Sequence, residues 1–391
     1  MPVAMKDDRS RQPSTQSELA MRTQDTEATE QEPTVASLAC HRKSPRPCFN
    51  QTLVDELAVI RQWRFLQFGT HDETNSIGYA TAVSVIIGTP FLIETAEQAK
   101  KLPKIGEKIV VKIAEFLEKG YIQESRDILK TEKFRVLSLL SSVHGIGWKA
   151  ANDLYNEGAR TLDDLRELLP HRPSTLSYFK YLDDLSEKIP REEVDSIVKW
   201  IQHQLDKIQP GARLEACGGY RRGKSHSNDV DIIITWPHQD GLERGVLDKL
   251  VERLLRKRLV PNDGVLYHTM AGSERTIKDN RPADRLDALD KALVIFRLPA
   301  EANKRSKDKF RRVDLIVTRW PDFGCAVVGW TGSTQFERDL RRHAHRLNMK
   351  FDSGGIRERD TDRPIEALTE QDVFRVLQLP YIDPKLRNAD P

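Results

Sequence analysis

The stretch of sequence that decides the fold is Cys217-Gly218-Gly219-Tyr220-Arg221-Arg222-Gly223-Lys224, followed shortly by Asn228-Asp229-Val230-Asp231. The run from Val230 to Thr235 is rich in β-branched residues and has the length of a strand, so it predicts one. Residues two apart on a strand face the same side, and we therefore expect Asp229 and Asp231 to project together. Carboxylates this close repel each other unless a cation lies between them, which makes the pair a candidate metal site.

A third aspartate, Asp314, lies on a later predicted strand, 313–317, next to Arg311 and Arg312. If the two strands are neighbours, Asp314 completes a set of three carboxylates. Oxygen ligands of this kind suit Mg²⁺ or Mn²⁺, and a two-metal site catalyses phosphoryl transfer. A lone Asp-Val-Asp is more often a solvated strand edge, but the joint pattern favours the catalytic interpretation.

The residues around these aspartates fit a triphosphate substrate. Gly218 and Gly219 allow the backbone to approach the phosphates, and Arg222 can neutralise their charge. The sequence therefore predicts a phosphoryl-transfer site for a triphosphate, with Mg²⁺ or Mn²⁺ as its cofactor.

The overall composition restricts the class of protein without identifying a partner. The 391 residues are 38% hydrophobic and 31% charged, and 62 basic residues against 59 acidic ones leave a net charge of +3. No apolar run of about 18 residues is present, so we expect no membrane span. The N-terminus lacks an apolar segment, so we expect no secretion signal. Four scattered cysteines are expected to be free thiols in a reducing compartment.

Two short stretches share one pattern, Leu102-Pro103-Lys104-Ile105-Gly106-Glu107-Lys108 and Val143-His144-Gly145-Ile146-Gly147-Trp148-Lys149. Each places an isoleucine between turn positions and then opens a helix, which is the pattern of a helix-hairpin-helix motif. The exposed backbone N–H groups of such a hairpin can bind a DNA phosphate without reading sequence. Either copy alone could be an ordinary turn, but two copies favour DNA binding. The candidate contacts are Ile105, Gly106, Gly145, Ile146 and Gly147.

The stretch 217–235 resembles the palm of DNA polymerase family X, and the resemblance extends from about residue 50 to the C-terminus. Gly218 to Lys224, Gly329-Trp330-Thr331-Gly332-Ser333 and Phe336-Glu337-Arg338-Asp339-Leu340-Arg341-Arg342 are most similar to the polymerase mu and terminal transferase branch. The resemblance implies an α+β multidomain fold. Helix-hairpin-helix domains would precede a nucleotidyltransferase palm with a mixed sheet and a small α+β C-terminal domain.

The resemblance also implies a role for each matched position. Asp229, Asp231 and Asp314 would hold the metal ions. The nucleotide would contact Gly218, Gly219, Arg222, Lys188, Gly329, Trp330 and Glu337, although relatives usually carry Asn or Gln at the last position. Arg338 and Arg341 match residues that contact the template strand. The alternative is that these two arginines, with Arg342 and Arg346, form only the solvated face of a helix. Arg312 is a further candidate DNA contact.

A second activity is implied for the helical front of the chain. Lys112 matches the nucleophile with which family X lyases attack the aldehyde of a 5′-deoxyribose phosphate, a beta- or lambda-like feature, and Lys108 and Tyr79 match the pocket for the downstream 5′-phosphate. Lys108 and Lys112 are four residues apart and share a helix face. An adjacent ammonium group favours the neutral amine that a Schiff-base lysine needs. Asn75 replaces a basic residue of the relatives, and Val111 replaces a glutamate.

Five segments are predicted: a disordered tail at 1–48 without aromatic residues, a helical lyase-like domain at 49–130, a helical DNA-binding domain at 131–190, the palm at 191–319 and a nucleotide-selecting domain at 320–391. The polar insert from His268 to Lys291 is too long for a hairpin turn. It resembles a loop that stands in for missing template pairing, or it is a surface insert without a role.

The sequence-based interpretation is a monomeric nuclear DNA polymerase that fills gaps and joins broken ends. Its expected partners are gapped duplex or broken DNA ends and deoxynucleoside triphosphates, with ribonucleoside triphosphates and end-joining factors as further candidates. Two alternatives are a weakly catalytic scaffold that binds DNA ends and another nucleotidyltransferase of the same superfold. A scaffold is expected to have lost an aspartate, and the other nucleotidyltransferases do not need two hairpin motifs.

Overall fold

The structure is a computed structural model that describes residues 34–68, 76–169, 173–239, 241–269, 289–299 and 309–391. None of the helices within these ranges combines the length and the apolarity needed to cross a bilayer. The predicted roles of Asn75 and of most of the insert between His268 and Lys291 lie outside the described residues.

The first half of the chain is helical, as its apolar periodicity predicts. The predicted segments 52–68, 78–87 and 107–119 each match one helix within a residue, whereas the segment predicted at 175–187 is divided in two around Tyr181. One apolar core joins these helices. The helices are α1 (Gln51–Phe68), α2 (Gly78–Ile87), α3 (Ala96–Lys101), α4 (Glu107–Lys119), α5 (Gln123–Lys130), α6 (Glu132–Ser141), α7 (Trp148–Asn156), α8 (Leu162–Leu168), α9 (Pro173–Lys180) and α10 (Leu182–Ser186).

A five-stranded mixed sheet forms the centre of the second half. Its strand order is β2-β4-β7-β6-β5, in which only the β4–β7 pair is parallel. The elements in chain order are β1 (Ile189–Pro190), α11 (Arg191–Asp206), β2 (Arg213–Ala216), α12 (Gly218–Arg221), β3 (His226–Ser227), β4 (Val230–Thr235), α13 (Val246–Arg256), β5 (Val265–His268), β6 (Asp290–Arg297) and β7 (Phe310–Val317). α11 and α13 bury their apolar side chains in the core that contains this sheet.

The C-terminal part is a small α+β unit that packs its helices around a separate core. Its elements are α14 (Phe323–Thr331), α15 (Thr334–Arg346), β8 (Met349–Asp352), β9 (Gly355–Glu358), β10 (Pro364–Ile365) and α16 (Glu370–Val376). The last three strands form an antiparallel sheet of order β10-β9-β8. The α+β fold expected from the sequence is therefore confirmed.

The prediction that residues 1–48 form a disordered tail is wrong for residues 35–48, which we call the strap. Leu38, Ala39 and Cys40 are buried in the core of the C-terminal unit, and Val35 and Cys48 are buried in the helical core. These aliphatic and thiol side chains supply the apolar surface for this burial, so the strap joins two cores although it contains no aromatic residue. Composition alone does not reveal such a segment. All four cysteines are free, as expected, and each is buried.

Candidate active site

The three predicted metal-binding aspartates come together at one end of the central sheet. Asp231 on β4 and Asp314 on β7 are direct partners in the parallel register, so their side chains leave the sheet on the same side. Asp229 immediately precedes β4. One carboxylate oxygen from each of the three residues lies within 4.8 Å of the other two. The neighbouring strands that the sequence analysis required are therefore present.

The electrostatics of this triad favour a bound cation. Burial raises the pKa of Asp231 well above its usual range, and repulsion by Asp229 and Asp314 adds to the shift. Burial also raises the pKa of Asp314 to about 6; Arg312 opposes that shift and Asp229 adds to it. The concentrated negative charge is costly in this buried position without a positive partner.

Arg312 supplies part of that positive charge. Its Nη2 donates a hydrogen bond to Asp229 Oδ2 and lies 3.4 Å from Asp314 Oδ2. Its Nε lies 3.2 Å from Asp314 Oδ1, yet that oxygen is buried without a hydrogen bond. A single guanidinium therefore leaves lone pairs of the triad unused. The all-oxygen donor set and the orphaned Asp314 oxygen fit Mg²⁺ or Mn²⁺.

Gly218 has a role in this geometry that the sequence analysis missed. Its φ is +58°, and a Cβ added there would overlap the carboxylate of Asp231. The glycine is therefore needed for the close approach of a metal-binding side chain, in addition to the expected approach of the phosphates. Gly219 is less restricted, because its added Cβ would meet only the flexible side chain of Lys224, at 3.1 Å.

A cavity of about 1050 Å³ opens beside the triad, and we call it the central cavity. It brings together most of the predicted nucleotide and template residues: Gly218, Gly219, Arg222, Gly329, Trp330, Glu337, Arg338 and Arg341. Arg338 and Arg341 therefore line a cavity, in contrast to Arg342, which is exposed and lies 3.7 Å from Asp339. Glu337 accepts a hydrogen bond of 2.8 Å from Arg341, so its carboxylate is already engaged on its own helix.

A second cavity, of about 1100 Å³, adjoins the first, and we call it the basic cavity. Gly219, Arg222 and Asp229 line both cavities. The predicted phosphate ligand Lys188 lines the basic cavity, where its Nζ donates to Asn228 Oδ1. The two cavities thus meet at Gly219, Arg222 and Asp229.

Arg221, next to Arg222 in the sequence, anchors the site instead of lining it. Its guanidinium donates two hydrogen bonds to Glu370, of 2.6 and 2.8 Å. Glu370 also accepts a hydrogen bond of 2.7 Å from Arg387, whose side chain is fully buried. Burial alone would raise the pKa of Glu370, but the hydrogen bonds from Arg221 and the charge of Arg387 hold it below the usual range. This ion-pair network fixes α12, which carries the glycines, to α16.

We expect Glu370→Gln to lower the free energy of unfolding by about 3 kcal/mol, because it leaves buried Arg387 without its counter-charge. The pKa of Glu370 is depressed in the folded protein. Its contribution to the free energy of unfolding is therefore fully present above the ordinary glutamate pKa, and it is lost as the pH falls through the pKa of the folded state. The difference between wild type and variant, measured by urea denaturation, should therefore shrink in acid. Glu366→Gln, at an exposed position nearby, is the matched control. Equal stabilities of the two variants would contradict the anchoring role.

Both predicted hairpins have the expected helix–turn–helix geometry. Gly106 and Gly147 are the N-cap residues of α4 and α7, and both are exposed. Lys104 adopts the left-handed backbone conformation at φ 64°, as Gly145 does at φ 82° in the second copy. The side chains of Ile105 and Ile146 are buried, so the predicted DNA contacts of these residues stay predictions about their backbone groups. The exposed backbone of each turn is what remains available to a phosphate.

The predicted lyase residues are only partly brought together. Lys112 forms an ion pair with Glu124 of α5. Glu124 also accepts a hydrogen bond of 2.5 Å from Arg64. Tyr79 is buried beside this group; burial and the charge of Glu124 raise its pKa. Lys108 is exposed. The partner of Lys112 is thus a carboxylate that the sequence analysis missed, because nothing in the local pattern relates α4 to α5.

Four family models match consecutive parts of the chain. They are a helix-hairpin-helix domain at residues 48–122, the fingers domain of DNA polymerase lambda at 138–186, the DNA polymerase beta palm at 188–320 and the DNA polymerase beta thumb at 326–388. Human DNA-directed DNA/RNA polymerase mu is 31% identical over 367 residues, which cover 90% of this chain and 72% of that protein. The chain belongs to DNA polymerase family X.

Other similar relatives come from the branch that the motifs indicated. The DNA nucleotidylexotransferase of Monodelphis domestica is 30% identical over 91% of this chain and 71% of its own length, and the human enzyme is 29% identical over the same shares. The family X assignment confirms the enzyme class expected from the sequence, a DNA polymerase of the nucleotidyltransferase type.

Proposed function

We propose that this family X polymerase uses a template and adds nucleotides to a primer 3′-hydroxyl by two-metal phosphoryl transfer. The observation that carries the proposal is the register of Asp231 with Asp314, which gathers three carboxylates beside the central cavity. One of them, Asp229, also lines the basic cavity. Asp229, Asp231 and Asp314 would hold Mg²⁺ or Mn²⁺, which supply Lewis-acid stabilisation of the transferred phosphoryl group.

The chain's own residues position the substrates around this centre. Arg222 lies where the two cavities meet and can neutralise charge on the triphosphate. Trp330 and Gly329 line the central cavity on the side expected for the sugar. Arg338 and Arg341 extend the same wall, where a template strand would pass. Primer extension on gapped DNA tests this arrangement, when the wild type is compared with variants in which the triad aspartates are replaced.

Gly329 bears on the choice of sugar. A Cβ added at Gly329 would lie 2.7 Å from Ser353 Cβ, so β8 and its following turn exclude a larger residue there. The wall beside the 2′ position is therefore open, and we expect ribonucleotides to be used within about tenfold of deoxynucleotides. The measurement is kcat/KM for matched pairs of nucleotides in a one-nucleotide gap. Discrimination of thousands-fold, about 4–5 kcal/mol, would contradict the assignment.

A second activity, 5′-deoxyribose phosphate lyase, is favoured by the contact between Lys112 and Glu124. Glu124 can take the proton that Lys112 must lose before its amine attacks the C1′ aldehyde, and can return it to the hydroxyl that leaves as water. The carboxylate of Glu124 can then remove a C2′ proton from the iminium. The electron pair forms the C2′–C3′ double bond, the C3′–O bond breaks, and the DNA leaves with a 5′-phosphate.

The proposed setting is gap filling and the joining of broken DNA ends in the nucleus, by a monomer that end-joining factors can recruit. The predicted domains at 49–130, 131–190, 191–319 and 320–391 would act as the lyase-like, DNA-binding, palm and nucleotide-selecting parts. The alternative of a weakly catalytic scaffold predicts DNA binding without synthesis. The alternative of another nucleotidyltransferase predicts nucleotide transfer to an acceptor other than DNA. Primer extension separates the proposed polymerase from both alternatives, and DNA binding without extension distinguishes the scaffold.

A further inference from the structure

The basic cavity contains positive charge that the motifs of the palm do not account for. Its cationic side chains come from three distant parts of the chain: Arg46 in the strap, Lys188, Arg222 and Lys224 near the central sheet, and Lys385 near the C-terminus. Asp55 and Asp229 are the carboxylates that line it. The cavity therefore has a surplus of positive charge next to the metal triad, which is suited to a ligand with several negative charges.

These cations are close enough to affect one another. Burial lowers the pKa of Lys224, and the positive charges of Arg222, Arg46 and Lys188 lower it further. Burial also lowers the pKa of Arg222; Asp390, Asp231 and Glu337 oppose that shift, and Arg46 adds to it. Like charges held together in this way favour a polyanion over a single phosphodiester group, because each additional negative charge relieves part of the repulsion.

The strap holds the backbone of Arg46 in place from both sides. The backbone N–H of Ser44 donates a hydrogen bond of 2.7 Å to the carbonyl of Leu386, and the N–H of Asn388 donates one of 3.1 Å to the carbonyl of Ser44. On the N-terminal side, the buried side chain of Arg42 donates a hydrogen bond of 2.7 Å to Ser84 Oγ of α2. On the C-terminal side, Cys48 is buried in the helical core. Arg46 itself is exposed to the cavity between these anchors.

The geometry points to Arg46, together with Lys385, as a binding site for the pyrophosphate portion of the incoming nucleoside triphosphate. The inference rests on the proposed polymerase function. The primer 3′-hydroxyl loses its proton to water and its oxygen attacks the α-phosphorus. The bond from that phosphorus to the bridging oxygen breaks, and pyrophosphate leaves with the electron pair. Arg46 neutralises the charge on this leaving group. The strap is therefore part of the nucleotide site.

The test compares Arg46→Ala with Lys43→Ala in the full chain. Lys43 is an exposed lysine of the same strap that does not line the cavity. We expect Arg46→Ala to raise the KM for nucleotide about tenfold, as for the loss of one charge-assisted hydrogen bond. It should weaken the binding of inorganic pyrophosphate with Mg²⁺, measured by calorimetry, by a similar factor. Arg46→Lys should restore much of both, whereas Lys43→Ala should change neither.

The outcomes separate this inference from the proposed function. If the wild type does not extend a primer, the proposed function fails, and the calorimetric comparison still measures whether Arg46 binds pyrophosphate. Equal pyrophosphate affinity in wild type and Arg46→Ala would overturn the inference. So would equal losses in Lys43→Ala, which indicate a loosened strap, or a loss confined to DNA affinity, which indicates a DNA phosphate contact. Covalent trapping at Lys112 should remain unchanged in every variant.

Discussion

Replacing Asp314 by Asn is expected to lower nucleotide addition by about 10³-fold or more, which is the effect of removing a group that stabilises developing charge in a transition state. Asp314 is 3% exposed and lies opposite Asp231 in the sheet, so no neighbouring carboxylate can replace it. Asn preserves the shape of the side chain and removes its charge. The measurement is single-turnover primer extension on gapped duplex DNA.

The control separates catalysis from folding. Burial and repulsion by Asp229 raise the pKa of Asp314 to about 6, so its charge costs stability near neutral pH in the metal-free protein. Asp314→Asn should therefore melt at the same temperature as wild type or higher, and should bind DNA equally well. Asp183→Asn makes the same chemical change at an exposed site on α10 and should keep full activity. Robust synthesis by Asp314→Asn would refute the assignment of the metal site.

Lys112→Ala is expected to abolish borohydride trapping of the protein on DNA that carries a 5′-deoxyribose phosphate. Trapping requires an amine that forms a Schiff base, and Lys112 is the lysine beside Glu124, Arg64 and Tyr79. Polymerisation should be unaffected, because Lys112 does not line either cavity. Lys119→Ala, on the same helix and in an exposed pair with Glu115, is the matched control.

Glu124→Gln probes the proton transfers separately from the nucleophile. Gln keeps a polar group beside Lys112 but cannot accept its proton, so the trapping rate should fall by about 10²–10⁴-fold, the usual contribution of general acid–base catalysis. Glu115→Gln, on the same helix as Lys112, should have no effect. Undiminished trapping in Lys112→Ala would move the nucleophile elsewhere. Unchanged trapping in Glu124→Gln would remove Glu124 from the mechanism.

The proximity of the three aspartates could be predicted from the sequence because strand periodicity is local and regular. Asp229 and Asp231 share a face by their spacing, and the β-branched runs marked both strands that carry the site. The hairpins could be predicted for the same reason, since turn residues and helix starts lie within seven positions. The buried side chains of Ile105 and Ile146 leave the backbone of each hairpin as the part that can meet a phosphate.

Other features depend on contacts between residues that are distant in the sequence. The strap resembles a disordered tail in composition, and Ala39 and Cys40 are buried because they pack against distant residues in the core of the C-terminal unit. Glu124 on α5 contacts Lys112 on α4, and Glu370 contacts Arg221, which is 149 residues away in the sequence. The shortage of space at Gly218 depends on the position of the Asp231 carboxylate. Such features follow from tertiary packing, which local patterns do not encode.

The central claim is that this family X chain is a template-using DNA polymerase, and a one-nucleotide gap tests it most directly. The wild-type chain, supplied with Mg²⁺ or Mn²⁺ and each deoxynucleoside triphosphate separately, should add the nucleotide complementary to the template in preference to the other three. Chelation of the metal should stop the reaction. Failure to extend the primer with either metal, or addition that is indifferent to the template base, would contradict the claim.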